Sequence, residues 1–324
     1  MYKYLYQMST EQKRPKAFLL NGGMGRIISA IPALEKYQEE GNDPDFIIVI
    51  EGVCDILKGH PTLDSKTYDM YHKNLFHTKL VNMDIVSPEP YRVHEYFNQK
   101  CNIAQAFDVL INNKGIRDLP KSTLILSKEE LLAGKKAIDE VKEKLKKEKV
   151  VVIQPFGRAI QQIDGSFVDK TNRSIEFFNL KSIIKKLQEK DFAVMLMSEF
   201  GIDFKDAGFP DEVAMPEKVE LRQWAAIIKY ADQFLGCDSL GQHLAYSLDT
   251  PASVVFGATY PENTSYAKSG NIKHIDLGQM TREYDPIRIT MDERISRKQE
   301  QIMAMTPEIE DYVVSAVNGE SIED

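Results

Sequence analysis

Short apolar runs recur along the chain, most of them far enough apart to leave room for a helix. They are "AFLL" (17–20), "FIIVI" (46–50), "TLIL" (123–126), "VVVIQ" (150–154), "FAVMLM" (192–197), "QFLG" (233–236) and "ASVVFG" (252–257). Each is nearly uniformly apolar instead of alternating, the pattern of a parallel strand buried on both faces. Between two of these runs, "SIEFFNLKSIIKKLQEKD" places Ile175, Phe178, Ile183, Ile184 and Leu187 near helical spacing with lysines outside, which predicts an amphipathic crossover helix. A second, charged helix is predicted from Ser127 to Lys149, opened by a Ser127–Glu130 capping box. Strands alternating with helices give an α/β fold class.

The length of 324 residues favours two domains over one. The division is placed where the charged helix ends and "VVVIQ" begins, giving 1–148 and 149–324. The helical pattern from Met291 to Val317 is expected to pack back across the first domain. At 43% hydrophobic and 28% charged residues, the composition is that of a folded chain and excludes extensive disorder. A net charge of −8 repels nucleic acid and anionic membranes, so a polyanionic partner needs a local basic patch. The one obvious basic run, "KEKLKKEK" (142–149), is interleaved with Glu and reads as a solvated helix face. Cys54, Cys101 and Cys237 are far apart, with no C-x-x-C spacing for zinc or redox chemistry. The opening residues lack an apolar signal core and no run approaches the ~20 residues a bilayer requires, so a cytoplasmic protein without a membrane span is expected.

The turn "NGGMGR", Asn21 to Arg26, follows the first apolar run and leads into "IISAIPALEKY". Gly22, Gly23 and Gly25 let the backbone approach an anion closely, where helix N–H groups and the helix dipole favour negative charge. The spacing stops short of a dinucleotide fingerprint, whose third glycine would fall at Ile28, and no phosphate-binding G-x-x-x-x-G-K-[ST] occurs. Glu51 stands at the end of the next apolar run, where a nicotinamide enzyme would hold its ribose. An NAD-dependent oxidoreductase therefore stays open, beside a turn that merely packs helix on sheet. Pro32, inside the helical pattern, is expected to bend the helix or delay its regular start.

A second glycine-bearing turn lies in "DSLGQHLAYSLDTPASVVFGATYPEN", Asp238 to Asn263. Asp238 and Ser239 stand where they either cap the following helix or leave its N–H groups to a phosphate. His243, four residues past Ser239, is either a buried histidine satisfied by backbone or a group facing a pyrophosphate.

This stretch resembles the D-S-G-x-x-H-L-A…G-T-P…x-L-F-G-x-T-x-P signature of glycosyltransferase family nine, the heptosyltransferase family. "NGGMGRIISAIPALEKY" is similar to that family's G-D-x-x-x-x-x-P-A-L element, and "FIIVIEGVCDILKGHPTLD" to its strand, acidic residue and His-Pro-x-x-Asp stretch. "VVVIQPFGR", "TNRSIEFFNLKSIIKKL" and "FAVMLMSEFG" follow in the family's order. The resemblance implies a GT-B fold, with two Rossmann-like domains of parallel strands facing across a cleft. It implies an acceptor, of unknown identity, on the first and a nucleotide-diphosphate sugar as donor on the second. It places Asp238, Ser239, Gly241, Gln242 and His243 at the donor pyrophosphate and sugar. Gly22, Gly23, Gly25 and Arg26 fall at the acceptor-side lip. Arg158 and Arg173 become the groups that neutralise the leaving diphosphate, a task suited to the guanidinium fork. No bound metal or cofactor is expected.

One position departs from the family. After Gly25 the family carries an Asp able to take a proton from the acceptor hydroxyl; here stands Arg26, which cannot act as a base at pH 7. Glu51, Glu199 and Asp238 are the carboxylates near predicted strand ends, and the sequence assigns the role to none of them. Arg26 is instead suited to an anionic acceptor, such as the modified DNA base that some phage-encoded glycosyltransferases act on. The expectation is a nucleotide-sugar glycosyltransferase with a hydroxyl acceptor. A non-catalytic nucleotide-sugar binder and the NAD-dependent oxidoreductase remain as alternatives.

Overall fold

Most of the uniformly apolar runs become parallel strands, in two sheets. The computed structural model describes residues 14–157, 159–163, 166–169, 171–197, 209, 213–216, 219–266, 268–282 and 301–320. In the first half, β1 (Lys16–Leu20), β2 (Ile47–Ile50), β3 (Thr67–Asp69) and β4 (Asp84–Val86) form an all-parallel sheet in the order β3-β2-β1-β4. Helix α1 (Met24–Glu39) follows β1 and, after the one-turn α2 (His94–Phe97), is packed by α3 (Ile103–Asn112).

The second half opens with α4 (Lys128–Leu145), whose Ser127–Glu130 capping box forms as predicted. β5 (Lys149–Gln154) leads to an antiparallel hairpin of β6 (Ile160–Ile163) and β7 (Ser166–Asp169), then to α5 (Phe177–Glu189), β8 (Phe192–Leu196) and β9 (Val213–Ala214). The chain then returns through α6 (Leu221–Tyr230), β10 (Gln233–Cys237), α7 (Leu240–Ser247), β11 (Ala252–Phe256), α8 (Pro261–Thr264), β12 (Ile272–Asp276) and α9 (Pro307–Asn318). Its sheet runs β12-β11-β10-β5-β8-β9, every pairing parallel.

Both orders reverse direction once. The first sheet grows from β1 towards β3 and then crosses to β4, so its switch lies between β1 and β4; the second switches between β5 and β10. At such a switch the flanking crossovers diverge to opposite faces and leave a crevice at the carboxyl ends of the strands, the usual ligand position in open α/β sheets.

Several expectations need correcting. "TLIL" is not a strand: the linker runs extended, and side chains make the hydrogen bonds a neighbouring strand would have made. Ser122 donates to the Ile28 carbonyl at 2.8 Å, and Arg222 Nη2 donates to the Ile125 carbonyl at 2.7 Å. Phe178 is exposed, because the helix starts at Phe177 and its buried stripe falls on Leu180, Ile183, Ile184 and Leu187, with Phe178 on the far side. Of the helical pattern expected to pack across the first half, residues 291–300 lie outside the described residues, and α9 has its main contacts elsewhere. It packs on α5 and the second sheet, where Asn179 Nδ2 donates to the Met305 carbonyl (2.9 Å) and to Glu310 Oε1 (2.8 Å). Helix α4 packs on α6 so closely that a Cβ at Gly134 would stand 2.5 Å from the Ala226 backbone.

Pro32 does not delay α1, which runs unbroken from Met24. Proline removes the N–H that would bond the carbonyl of residue 28. The buried Ser122 hydroxyl supplies the missing donor to that carbonyl, which also ties the linker to α1. Ser122→Ala is expected to cost about 1–3 kcal/mol in denaturant unfolding by leaving a buried acceptor unpaired. In a Pro32→Ala background, where residue 32 regains its N–H, the same change is expected to cost less than half as much.

Candidate functional site

The two glycine-bearing turns, 214 residues apart between Ser29 and His243, face each other across the seam between the halves. Each glycine of the first turn has its own reason. Gly22 adopts φ +94°, a conformation strained for any side chain. Gly25 lies under the imidazole of His243, and a Cβ there would stand 2.5 Å from His243 Cδ2. Gly23, the N-cap of α1, would meet nothing within 4 Å, so the fold leaves open space above it. In a dinucleotide fingerprint the second glycine clears room for the pyrophosphate. Here the ring of His243 fills that room, which counts against a nicotinamide dinucleotide at this turn.

His243 is a fastener between the halves. Its Nδ1 lies 2.8 Å from Tyr266 OH and 3.3 Å from Ser29 Oγ. Ser29 donates its proton to the Gly25 carbonyl at 2.8 Å, which leaves its oxygen as an acceptor beside Nδ1. Burial pushes the His243 pKa down to about 4 against the opposing charge of Asp238, so the ring is neutral at pH 7. It brings no positive charge to a diphosphate. Tyr266 in turn stacks on Tyr246 with ring centroids 3.5 Å apart. Farther along the seam, Asn263 Nδ2 donates to the carbonyls of Tyr96 (2.8 Å) and Cys101 (3.0 Å).

On the second sheet, the crevice between β5 and β10 holds Gln154 and the Asp238–Gln242 turn. Ser239 is the N-cap of α7 but caps nothing with its hydroxyl. Gln154 does the capping instead: its Oε1 accepts from the Gly241 N–H at 2.6 Å and its Nε2 donates to Ser239 Oγ at 3.2 Å. That contact leaves no room for a side chain at Gly241, where a Cβ would stand 2.6 Å from Gln154 Oε1 and 2.2 Å from Phe234. Gln242 Nε2 donates to Asp238 Oδ1 at 2.7 Å, and both side chains are buried.

Arg173 stands in the same crevice, its Nε donating to Thr171 Oγ1 at 3.1 Å. Burial disfavours its charge, but the carboxylates of Asp238 and then Asp169 outweigh that and raise its pKa, so the guanidinium stays cationic. Asp169 is opposed by burial but accepts bonds from the hydroxyls and backbone N–H groups of Ser174 and Thr171, which hold its pKa down.

On the first sheet, Arg26 is buried and paired. Nη1 lies 3.3 Å from both oxygens of Glu89, Nη2 donates to the Pro88 carbonyl at 2.9 Å, and the group sits over the rings of Tyr91 (5.3 Å) and Phe107 (5.6 Å). A guanidinium so committed is not an open anion receptor. Glu51 is exposed at the end of β2, its backbone N–H bonded to the Leu20 carbonyl at 2.9 Å. The His-Pro-x-x-Asp stretch is a turn lock: His60 Nδ1 accepts from the Leu63 N–H (3.1 Å), its Nε2 meets Glu35 at 2.9 Å, and Asp64 accepts from the Gly59 N–H at 2.8 Å.

Of the residues singled out from sequence, Gly22, Gly23, Gly25, Arg26, Arg173, Asp238, Ser239, Gly241, Gln242 and His243 all lie along the two crevices and the seam between them, and Glu51 stands apart in solvent. Arg158 and Glu199 lie outside the described residues. Sequence reasoning missed Gln154, Tyr266, Asp169 and Glu89. Gln154 had a signal, as a polar residue closing a run of four buried apolar ones; Glu89, in the irregular "SPEPYR", had none. Among the described residues no three His, Cys, Asp or Glu side chains converge as a metal-ligand set.

Gly25→Ala is expected to destabilise the protein by about 1–3 kcal/mol through overpacking against His243. The cost should shrink in a His243→Ala background, and a double-mutant cycle by denaturant unfolding measures it. The depressed His243 pKa also fixes a pH dependence. As pH falls from the ordinary histidine range near 6.5 towards 4, the unfolded chain takes up a proton that the native imidazole refuses, so stability falls across that window by up to a few kcal/mol. His243→Gln should flatten that part of the stability–pH curve.

Comparison with known proteins agrees with this geometry. The family model for glycosyltransferase family 9 (heptosyltransferase) matches residues 179–284. A lipopolysaccharide heptosyltransferase 1 from Campylobacter coli is 27% identical over 196 residues, covering 57% of this chain. The chain spans only 56% of that relative's length in the match. Among solved structures, a family 9 glycosyl transferase from Veillonella parvula superposes with a TM-score of 0.66 at 12% identity, covering 94% of this chain and 96% of its own. The ADP-heptose lipopolysaccharide heptosyltransferase II of E. coli gives 0.60 at 12% identity, covering 94% and 98%. These likenesses are of fold, the two-sheet GT-B arrangement. The chain is thus similar to glycosyltransferase family 9, the heptosyltransferases, with the family model matched over the third of the chain that carries Asp238 to His243.

Proposed function

We propose that the protein transfers a sugar from a nucleotide-diphosphate sugar to a hydroxyl acceptor, residues 1–148 serving the acceptor and 149–324 the donor. One observation carries the reading: the switch-point crevices of both sheets open on the same seam, joined where α1 meets α7. Two reactants held on facing crevices are oriented for a direct displacement, the condition under which positioning contributes most to rate. Arg173, kept cationic beside Asp238 and Asp169, and the N-terminus of α7 supply the positive potential that a departing diphosphate requires. That charge comes from the protein, so transfer without a bound metal is part of the proposal, and turnover should persist in the presence of a chelator.

The open space above Gly23 fits the acceptor's approach. A nucleic-acid acceptor was favoured by an anion-seeking Arg26. With that guanidinium paired to Glu89, no described feature prefers modified DNA to another hydroxyl.

Because the E. coli protein named above carries ADP-heptose in its description, that sugar is the first donor to test. Thermal shift against nucleoside diphosphates, nucleotide sugars and NAD is expected to show stabilisation that grows with nucleotide-sugar concentration. Arg173→Ala should weaken nucleoside-diphosphate binding by about tenfold or more, the value of a lost charge-assisted pair. A response to NAD alone would sink the transfer reading.

A further inference from the structure

We infer that Glu89 is the general base of the transfer step, a role that rests on the reading just given. It sits in the loop that leaves β4, so it opens on the crevice between β1 and β4, the switch point of the first sheet, beside the Gly22–Arg26 turn. Arg26 fixes it there: Nη1 lies 3.3 Å from each carboxylate oxygen, while Nη2 holds the preceding Pro88 carbonyl at 2.9 Å. Both the carboxylate and the backbone that carries it are therefore anchored by one side chain.

The pairing is incomplete in a way that points to a ligand. Glu89 Oε1 is buried at the atom and accepts no hydrogen bond, although Arg26 stands beside it. A buried acceptor left without a partner costs free energy that a substrate hydroxyl would restore on binding. The side chain as a whole is 19% exposed, so it is not sealed in the core as Arg26 is. Two residues on, Tyr91 leads across it: the Arg26 guanidinium lies over its ring, and its phenol lies close enough to Arg173 to act on that group's charge. Glu89, Arg26, Tyr91, Arg173 and Asp238 thus form a chain from the acceptor crevice to the donor crevice.

Three other carboxylates near the strand ends are placed differently. Asp238 accepts from Gln242 and faces Arg173, where its charge balances the group that receives the diphosphate. Asp169 takes four hydrogen bonds from Thr171 and Ser174. Glu51 is exposed beyond β2.

In the step itself, the acceptor O–H bond breaks and its proton passes to Glu89. The freed oxygen forms a bond to the anomeric carbon. The bond from that carbon to the diphosphate oxygen breaks, and its electron pair leaves with the nucleoside diphosphate beside Arg173. With water as acceptor the same step releases free sugar, so the base can be tested without knowing the natural acceptor.

The experiment measures ADP-heptose hydrolysis and, by calorimetry, ADP-heptose affinity for the full-length chain and its Glu89 variants. Glu89→Gln is expected to lower hydrolysis by about 100-fold or more with affinity changed less than about threefold, as befits a lost general base. Formate should restore part of the activity of Glu89→Ala. A merely structural pair would instead lower melting temperature and affinity together, with no response to formate, and would overturn the assignment. So would undiminished hydrolysis by Glu89→Gln, or a wild-type chain that binds the sugar nucleotide and never turns it over. Failure to bind any nucleotide sugar is a different result, and it removes the transfer reading on which the assignment stands.

Discussion

Helix α1 can lie against α7 because position 25 has no side chain. The imidazole of His243 fills the volume a Cβ would need, and its Nδ1 sits among Ser29, which reaches it from α1, and Tyr266, which reaches it from the second half. Interiors are packed to near-crystalline density, so a contact of this kind admits few alternatives. It fixes how the carboxyl ends of the two sheets confront each other, and with them every group that follows from that confrontation. Asn263, reaching the carbonyls of Tyr96 and Cys101, repeats the device farther along the seam.

The charged side chains described along the seam stand in opposite-sign groups. Arg26 meets Glu89, and Arg173 meets Asp238 and Asp169, with Tyr91 between the two cations. Isolated, any of these would be driven towards its neutral form by desolvation; paired, they persist as fixed charges in a region of restricted water. A site built this way needs little reorganisation when charge develops on a departing diphosphate, which is where electrostatic stabilisation is most effective. His243 is the counter-example, since burial leaves it neutral, and it contributes packing in place of charge.

The strands and the second glycine turn were legible because their signals are local. Uniformly apolar runs fold as buried parallel strands wherever a neighbouring edge exists, and the Ser127 capping box needs only four residues. "TLIL" shows the limit, since the same composition here runs as a linker whose Ile125 carbonyl is taken by the Arg222 side chain. Phe178 shows another: two residues before Leu180 on the helix, it falls about half a turn from the buried stripe and faces solvent.

What the sequence determined by itself was the alternation of strand and helix, and the pair of turns where an anion can be met by backbone and helix dipole. Which glycine serves which purpose was decided only in three dimensions: Gly22 by its dihedral, Gly25 by a ring from the other half, Gly23 by empty space. The meaning of Arg26 was decided there as well. Its partner Glu89 lies 63 residues away in a loop with no periodicity, and only the crossover from β3 to β4 past β1 brings the two within 3.3 Å. Local pattern specifies elements because propensity and burial act over a few residues; pairing across a seam depends on topology, which no short stretch of sequence contains.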